Sequence, residues 1–435
     1  MSSNIKKAML FCALILSMSV FAQKQEIKLQ GITIQPTEDI NMSFHVGTQI
    51  WTRYTQLNPG TTGVNGNDIN NLFDIALRRT RFSLLNNLYN EKIVVYTQFG
   101  MNGQTITSTS SPQLYVHDIW TQFRLWKDYL YLGVGLHGWA GISRLGSASY
   151  SQNLMLDHPG FSLPNLGKTD QAGRQIGIFI RGNAFKFNYR LSIDKPFVRD
   201  EMGNIGINES TYYPNTNTAF KSYVFYSFLD EEHTKSSYLS MCNLGKKKVF
   251  NIGAGFDYHP QSFASLNEMS DTVLHNKLLL GADVFFDYPF KDVSSLTIYL
   301  AGYLYDFGPN YVRTYGVMNP LKTGSLEQGG GNYYYNVGTG TIIYSSLGYI
   351  FPEKLQVLPG KLQVVLACHY KNFEALSTPS TQLDAGINYY ISNHNAKINL
   401  QYSNWIVYSG SPGYNTNTEI MTQKGMVVLQ VQMYL

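Results

Sequence analysis

The chain has 435 residues, of which only 14% are charged, and its formal net charge of +4 is too small to indicate a nucleic-acid partner. Ordinary soluble domains carry roughly 25% charged residues. No apolar run of about 18 residues follows the N-terminal segment, which excludes helical membrane spans. With 32 Tyr and 38 Gly, the composition is typical of a transmembrane β-barrel, with a secreted β-sandwich or propeller as the alternative.

The first segment has the order of an export signal. A basic start precedes an apolar run at 8–20, and Val20 and Ala22 occupy the small-residue positions before Gln23. The run is too short to span a bilayer as a helix. The sequence therefore predicts a signal peptide at 1–22, a periplasmic lead-in at 23–41 and an outer-membrane barrel at 42–435.

Alternation of apolar and polar residues then recurs along the chain. In the last strand Val427, Leu429 and Val431 share one face, while Gln430 and Gln432 share the other. Such alternation over ~9–11 residues is what a barrel strand requires. Sixteen segments show it, at about 42–54, 74–87, 91–103, 115–127, 129–137, 173–182, 184–194, 219–229, 248–258, 277–289, 293–306, 339–351, 361–373, 381–392, 395–406 and 424–435.

Connections between these segments largely alternate between short turns and long loops, as they do in outer-membrane barrels. One link breaks the pattern, because residues 230–247 should form a short turn and are long. Either a strand is missed there or the turn is elaborated. The loop at 138–172 is also unusual, since Leu154, Met155, Leu156 and Phe161 need a place to pack. We expect it to fold into the barrel; the alternative is a surface loop packed on a neighbouring subunit.

Residues 74–85, "DIALRRTRFSLL", combine an apolar face with three arginines. If Phe82 and Leu84 face lipid, strict alternation turns Arg79 and Arg81 to the lumen. Arg78 then falls on the lipid side near the outer rim, where charge costs little, whereas charge at the bilayer midplane costs roughly 2–4 kcal/mol.

Extending the same alternation to the first seven strands predicts a basic wall inside the barrel. The later strands are expected to place more acidic residues on their lumenal faces, namely Asp257, Asp283, Asp287 and Asp384. Opposed walls create a transverse field that sets ion preference, although the same residues could instead pair across the lumen and stiffen it. The predicted pore-lining basic residues are Arg53, Arg79, Arg81, Arg124, Arg181, Lys186 and Arg190, with Arg144 and Lys168 as candidates in the pore loop.

Signals for catalysis are weak. The sequence has no G-x-S-x-G or P-loop motif, and its nine His do not pair at metal-ligand spacing. Asp157-His158 is the one dipeptide that a hydrolase could use, but such dipeptides are common. We therefore predict no catalytic residue, no metal site, no cofactor and no enzyme activity.

Five stretches, in order, resemble the phosphate-selective porin O and P family in its Bacteroidetes-type form. They are "ALRRTRFSL", "VHDIWTQFRLWKDYLYLGVGLHGWAGISRLGSAS", "RQIGIFIRGNAFKFNYRLSI", "LGKKKVFNIGAGFDYHP" and "GADVFFDYP". The resemblance implies a sixteen-stranded homotrimeric channel with an inward-folded third outer loop and lumenal arginines that lead anions through. Arg79 and Arg81 match the family's arginine-rich strand, whereas 138–172 offers only Arg144 and Lys168 where the family has a lysine cluster.

The sequence thus predicts an all-β antiparallel transmembrane barrel in the outer membrane of a Gram-negative bacterium. Its expected function is passive diffusion of small hydrophilic solutes, with a preference for anions such as phosphate. Expected partners are outer-membrane lipid and lipopolysaccharide, small anionic or neutral solutes, and two further copies of the chain. The alternatives are a non-conducting barrel used for adhesion or assembly, and an outer-membrane hydrolase.

Overall fold

A computed structural model describes residues 31–108, 111–138, 141–198, 203–232, 238–356 and 359–435. The predicted signal peptide lies outside these residues. The strands in chain order are β1 Ile32–Thr37, β2 Ile40–Gln56, β3 Asn71–Leu88, β4 Ile93–Gln104, β5 Tyr115–Trp126, β6 Leu130–His137, β7 Gln175–Ala184, β8 Phe187–Lys195, β9 Thr211–Tyr212, β10 Ala219–Ser227, β11 Val249–Leu266, β12 Thr272–Pro289, β13 Ser295–Asp306, β14 Val312–Tyr315, β15 Tyr334–Gly338, β16 Gly340–Ile350, β17 Lys361–Phe373, β18 Ser380–Ser392, β19 Ala396–Ser409 and β20 Glu419–Tyr434.

Sixteen of these strands form one closed antiparallel barrel. Each pairs with the next barrel strand, and β20 returns to β2, from Gly47 opposite Tyr434 to Thr55 opposite Met426. The remaining four are β1 and β9, which pair with the end residues of β2 and β11, and the separate hairpin β14–β15. The prediction of a sixteen-stranded barrel is confirmed. Among the described residues, no helix is both long and apolar enough to cross a membrane.

The two faces of the barrel wall differ as the alternation predicts. On β20, Val427, Val431 and Met433 are more than two-fifths exposed, while Gln430 and Gln432 are buried inside. The inner face is held together by side-chain hydrogen bonds, because a buried amide needs a partner. Gln430, for example, accepts a bond from the Trp51 indole at 2.7 Å and donates to the Asn399 oxygen at 2.9 Å.

Strands β11 and β12 are longer than predicted. The sequence suggested a loop over 259–276, but β11 continues to Leu266 past a register shift between His259 and Phe263. Pro260 lies within that shift, and a residue without an N–H is tolerated in a strand at such an irregularity. The predicted lead-in is also partly a strand, since β1 pairs with the first residues of β2.

The loop between β6 and β7 crosses the interior, and its inward course is confirmed. Its side chains Leu154, Met155, Leu156 and Phe161 are buried. Polar wall residues bind the loop backbone: Asn388 on β18 donates to the Leu154 carbonyl at 2.8 Å, and Tyr305 on β13 donates to the Phe161 carbonyl at 2.8 Å. The inward loop is therefore fixed to the wall on the side of β12–β19.

Two further segments enter the lumen. From the same end of the barrel as the inward loop, the β13–β16 connection carries β14 and β15, and Arg313 on β14 donates to the inward-loop carbonyls of Pro164 and Leu166 at 2.7 and 3.0 Å. Residues 238–247 of the β10–β11 connection enter the lumen from the opposite end, where the short turns lie. Residues 238–247 contain no strand. They contact the inward loop, where the Leu239 N–H donates to the Ser147 carbonyl at 2.9 Å. In its described residues, 230–232 and 238–247, the long link is thus an elaborated turn without an additional strand.

Candidate functional site: an arginine-lined lumenal cavity

A β-bulge in β3 changes which arginines face inward. Gln49 of β2 pairs with Arg79, but the next residue, Ile50, pairs with Leu77, so Arg78 has no partner position. A bulge places two successive residues against one on the neighbouring strand and breaks the alternation. Ala76, Arg78, Arg79 and Arg81 therefore all turn inward, and the prediction that Arg78 faces lipid is wrong.

Arg78 and Arg79 both form ion pairs with the carboxylate of Asp157 in the inward loop. Arg78 Nε donates to Asp157 Oδ2 at 2.7 Å, and Arg79 Nη2 donates to Asp157 Oδ1 at 2.9 Å. Burial opposes ionisation of Asp157, but the two guanidinium groups hold its pKa well below the usual carboxyl range. We call this arrangement the Arg78–Asp157–Arg79 clamp. Asp157 is thus bound by two arginines. Its position beside His158 in the sequence gave no indication of this ion pairing.

A second chain of polar and charged groups runs from β3 through β5 to the start of β7. Arg81 Nη2 lies 3.0 Å from His117 Nε2, and His117 Nδ1 lies 3.2 Å from Asp118 Oδ2. Arg174, directly before β7, donates to the same carboxylate oxygen at 3.0 Å and to the Tyr238 hydroxyl oxygen at 2.7 Å. A second bulge, between Asp118 and Val116, turns both His117 and Asp118 inward.

These two groups border a cavity of about 540 Å³, the lumenal cavity. It lies between the β2–β4 wall and the inward loop and reaches the β18–β19 turn. No Asp or Glu side chain of the described residues lines it. Its main lining side chains are Arg79, Arg81, Arg174, Tyr96, Tyr150 and Tyr238.

The charge balance around the lumenal cavity is positive. The arginine cluster consists of Arg78, Arg79, Arg81 and Arg174, and its carboxylate partners are Asp118 and Asp157. Four guanidinium groups against two carboxylates leave an excess of two positive charges. The carboxylates also lie behind the arginines, away from the cavity lining, so the surface that a solute meets is basic.

Arg53 was also predicted to line the pore, and it faces inward but serves as a tether. It is only 1% exposed and grips Asp74 on β3 through two bonds of 2.6 and 2.9 Å. It also donates to the carbonyls of Val317 and Met318 in the β13–β16 connection. Arg53 thus holds that connection in the lumen.

Arg124 and Lys186 lie at the short-turn end rather than inside. Arg124 donates to the Asn90 carbonyl in the β3–β4 turn at 2.7 Å. Lys186 is exposed, because Phe185 and Lys186 form a two-residue turn with positive φ at both positions, of 49° and 66°. Such a turn matches the twist of a hairpin. The sequence predicted a strand from 184, but β8 begins at Phe187.

Arg181 and Arg190 face inward as expected, directly opposite each other on β7 and β8. Both are buried. The Arg181 guanidinium lies over the rings of Trp120 and Phe179, 5.1 and 5.3 Å from their centres. Aromatic faces attract guanidinium groups. These two arginines therefore belong to the packed wall beside the cavity and are not among its lining residues.

The two candidates in the pore loop are placed differently. Arg144 is 1% exposed, pairs with Glu232 from the β10–β11 connection and stacks on Phe285 at 3.8 Å. It joins the inward loop to the segment that enters from the short-turn end. Lys168 is half-buried, and neither residue lines the lumenal cavity.

The acidic residues of the later strands bind the inward segments. Asp283 accepts a bond from the Arg144 backbone N–H at 2.6 Å, and Asp287 accepts one from the Asn243 N–H at 2.6 Å. Asp257 pairs with Lys277, and Asp384 with His369. The opposed acidic wall therefore anchors loops and basic partners, while the arginine cluster borders open space. Within the described parts of the chain, no group of three or more His, Cys, Asp or Glu is arranged to hold a metal ion.

Sequence reasoning missed Asp157, Arg174 and Tyr238 as members of this site. The run Arg78-Arg79-Thr80-Arg81 contained a signal, because strict alternation cannot bring all three arginines to one face and a bulge can. Arg174 precedes a strand and Tyr238 lies in an irregular segment, so no periodicity marks either residue.

No family model matches the sequence, and a comparison with curated proteins found no match. Solved structures share its fold. OmpF of Salmonella typhi, in complex with daunomycin, is 9% identical, covers 93% of this chain and 100% of its own, and has a TM-score of 0.52. OprB of Pseudomonas putida is 9% identical, covers 91% of this chain and 94% of its own, and has a TM-score of 0.53. An anion-selective porin from Comamonas acidovorans is 11% identical, covers 91% of this chain and 100% of its own, and has a TM-score of 0.52. The chain therefore has the fold of outer-membrane porins, and the resemblance to the phosphate-selective family stays a prediction.

Proposed function

We propose that this protein is a porin in the outer membrane of a Gram-negative bacterium, a passive channel for small hydrophilic solutes that prefers anions. The excess of two positive charges among the side chains around the lumenal cavity carries the proposal, because a basic wall that faces no Asp or Glu side chain of the described residues raises the local concentration of anions. The barrel's exposed apolar outer face fits contact with lipid and lipopolysaccharide.

A measurement of ion selectivity tests this proposal. Purified protein in a planar lipid bilayer should give discrete current steps, and in a KCl gradient the reversal potential should have the sign of chloride permeation. A reversal potential of the opposite sign would contradict the anion preference. Replacing chloride by phosphate on one side would then show whether phosphate also passes.

One observation favours a second function, a non-conducting barrel used for adhesion or assembly. Three segments enter the lumen, and they are bonded to one another and to the wall. If they fill the barrel, purified protein will produce no current steps at any voltage that the bilayer tolerates. That result would reject the porin proposal and leave the fold unchanged.

The homotrimer is proposed from the family resemblance. We expect the detergent-solubilised protein to have the mass of three chains in light scattering and to separate into monomers on heating. A monomeric mass before heating would contradict the trimer without bearing on conduction.

A further inference from the structure

Asp157 occupies the arginine cluster in the way that a bound solute would. Each of its two oxygens takes one guanidinium donor, at 2.7 Å from Arg78 and 2.9 Å from Arg79. Charge-assisted bonds between guanidinium groups and both oxygens of a planar carboxylate are strong and geometrically specific. The chain thus supplies its own carboxylate to a site built for one.

The residues of the clamp also line two spaces. Arg79 lines the lumenal cavity, whereas Asp157 lines a second, smaller cavity of about 60 Å³ toward the β13–β16 connection. Trp51 lines the smaller cavity, and the Arg78 guanidinium lies 5.4 Å from its ring centre. The Arg78–Asp157–Arg79 clamp therefore borders both cavities, one through Arg79 and the other through Asp157.

The lumenal cavity offers more than charge to a ligand. Tyr96, Tyr150, Tyr238 and Tyr434 contribute to its lining, and the Arg79 guanidinium lies 4.1 Å from the ring centre of Tyr150. Its volume of about 540 Å³ is within the range of ~300–1,000 Å³ that holds organic ligands. Tyrosine rings bind an organic skeleton through apolar contact, which inorganic phosphate cannot use.

We propose that the preferred solutes are organic carboxylates, which bind Arg79 and Arg81 in the lumenal cavity in competition with Asp157. The inference rests on the proposed function as a channel and names its substrate class. The carboxylate of the solute replaces the carboxylate of the loop on Arg79, while the organic part packs on the tyrosines. Arg81 also lines the cavity and offers the solute a second guanidinium group.

Block of the chloride current measures this competition. Benzoate, acetate or phosphate is added at neutral pH to the channel conducting KCl, and the concentration that halves the current is determined for each. We expect benzoate to act at the lowest concentration, since it alone combines a carboxylate with a ring. Asp157→Asn should lower the half-blocking concentration of benzoate about tenfold, because the site is then no longer occupied by a charged competitor.

Two variants control the experiment. Asp170→Asn makes the same exchange in the same buried loop, but Asp170 accepts the Gly167 N–H and lines neither cavity. It should leave the half-blocking concentration of benzoate unchanged. Asp157→Glu retains the competing carboxylate and should stay nearer to the wild-type protein than Asp157→Asn does.

Each outcome bears on one proposal. Phosphate that blocks wild-type channels at a lower concentration than benzoate would overturn the carboxylate assignment, even if Asp157→Asn fails to fold. An unchanged benzoate response in folded Asp157→Asn would show that Asp157 does not occupy the solute site. The selectivity measured in KCl alone, without any carboxylate, tests the anion channel separately, so a failure of the proposed function is recognised independently of the block.

Discussion

The double replacement Arg79→Gln with Arg81→Gln should abolish most of the anion preference. Glutamine keeps a polar side chain of similar reach but removes both charges. The cluster would then hold the guanidinium groups of Arg78 and Arg174 against the carboxylates of Asp118 and Asp157, with no excess charge. Because Arg78 still holds Asp157, the inward loop should stay in place.

The size of the effect follows from the dimensions of the cavity. A sphere with the volume of the lumenal cavity has a radius of about 5 Å, so an ion at its centre lies about 6 Å from each guanidinium. In water each such pair is worth about 0.7 kcal/mol, attractive for an anion and repulsive for a cation. Two charges therefore favour the anion over the cation by about 3 kcal/mol, which screening at 0.1 M salt reduces by about half. A difference of about 1.4 kcal/mol is tenfold, so the permeability ratio should fall about tenfold.

The assay is the reversal potential in a KCl gradient, which converts directly to the permeability ratio. Arg124→Gln is the matched control, because it removes one arginine that lies at the short-turn end, bonded to the Asn90 carbonyl, away from the cavity lining. We expect the control to change the ratio by less than about twofold. A double variant with the wild-type ratio would refute the reasoning and assign Arg79 and Arg81 a structural role. An equal loss in Arg124→Gln would show that the arginine cluster does not set the selectivity.

Three further predictions concern the inward segments. Glu232→Gln leaves the buried Arg144 without its paired carboxylate, so we expect a loss of about 3–5 kcal/mol of stability. The measurement is the temperature of the heat-induced shift in gel mobility, which should fall. The control Glu231→Gln replaces an exposed residue and should leave that temperature unchanged. Phe161→Ala removes a fully buried ring, costs about 3–5 kcal/mol locally and should raise the single-channel conductance by loosening the inward loop. Since the pKa of Asp157 is lowered, the clamp is fully formed above the ordinary carboxyl pKa of 3.8 and is lost only as the pH falls through a lower value. The clamp should therefore keep the conductance constant from neutral pH down to pH 3.8. Burial raises the pKa of Asp170 in the same loop to about 6, so a transition within that range that persists in Asp170→Asn would contradict the ion pairs.

The sequence alone determined the barrel. A two-residue alternation is a local property, since successive side chains of a strand point to opposite faces, and lipid on one side with polar groups on the other imposes it over the whole wall. That is why β20 and its fifteen barrel partners were predictable. The inward loop was predictable too, because Leu154, Met155, Leu156 and Phe161 are too apolar to remain in water.

Only the tertiary structure decided the site. Strict alternation sent Arg78 to the lipid, but the bulge in β3 turns it inward, where its charge meets Asp157 from a loop 79 residues further along the chain. Arg174 and Tyr238 join the cavity from segments with no periodicity, and residues 238–247 are held in the lumen by backbone bonds that no pattern encodes. Alternation specifies which face of a strand meets lipid; it does not specify which lumenal charges find partners, because that depends on where irregular segments pack inside the closed wall.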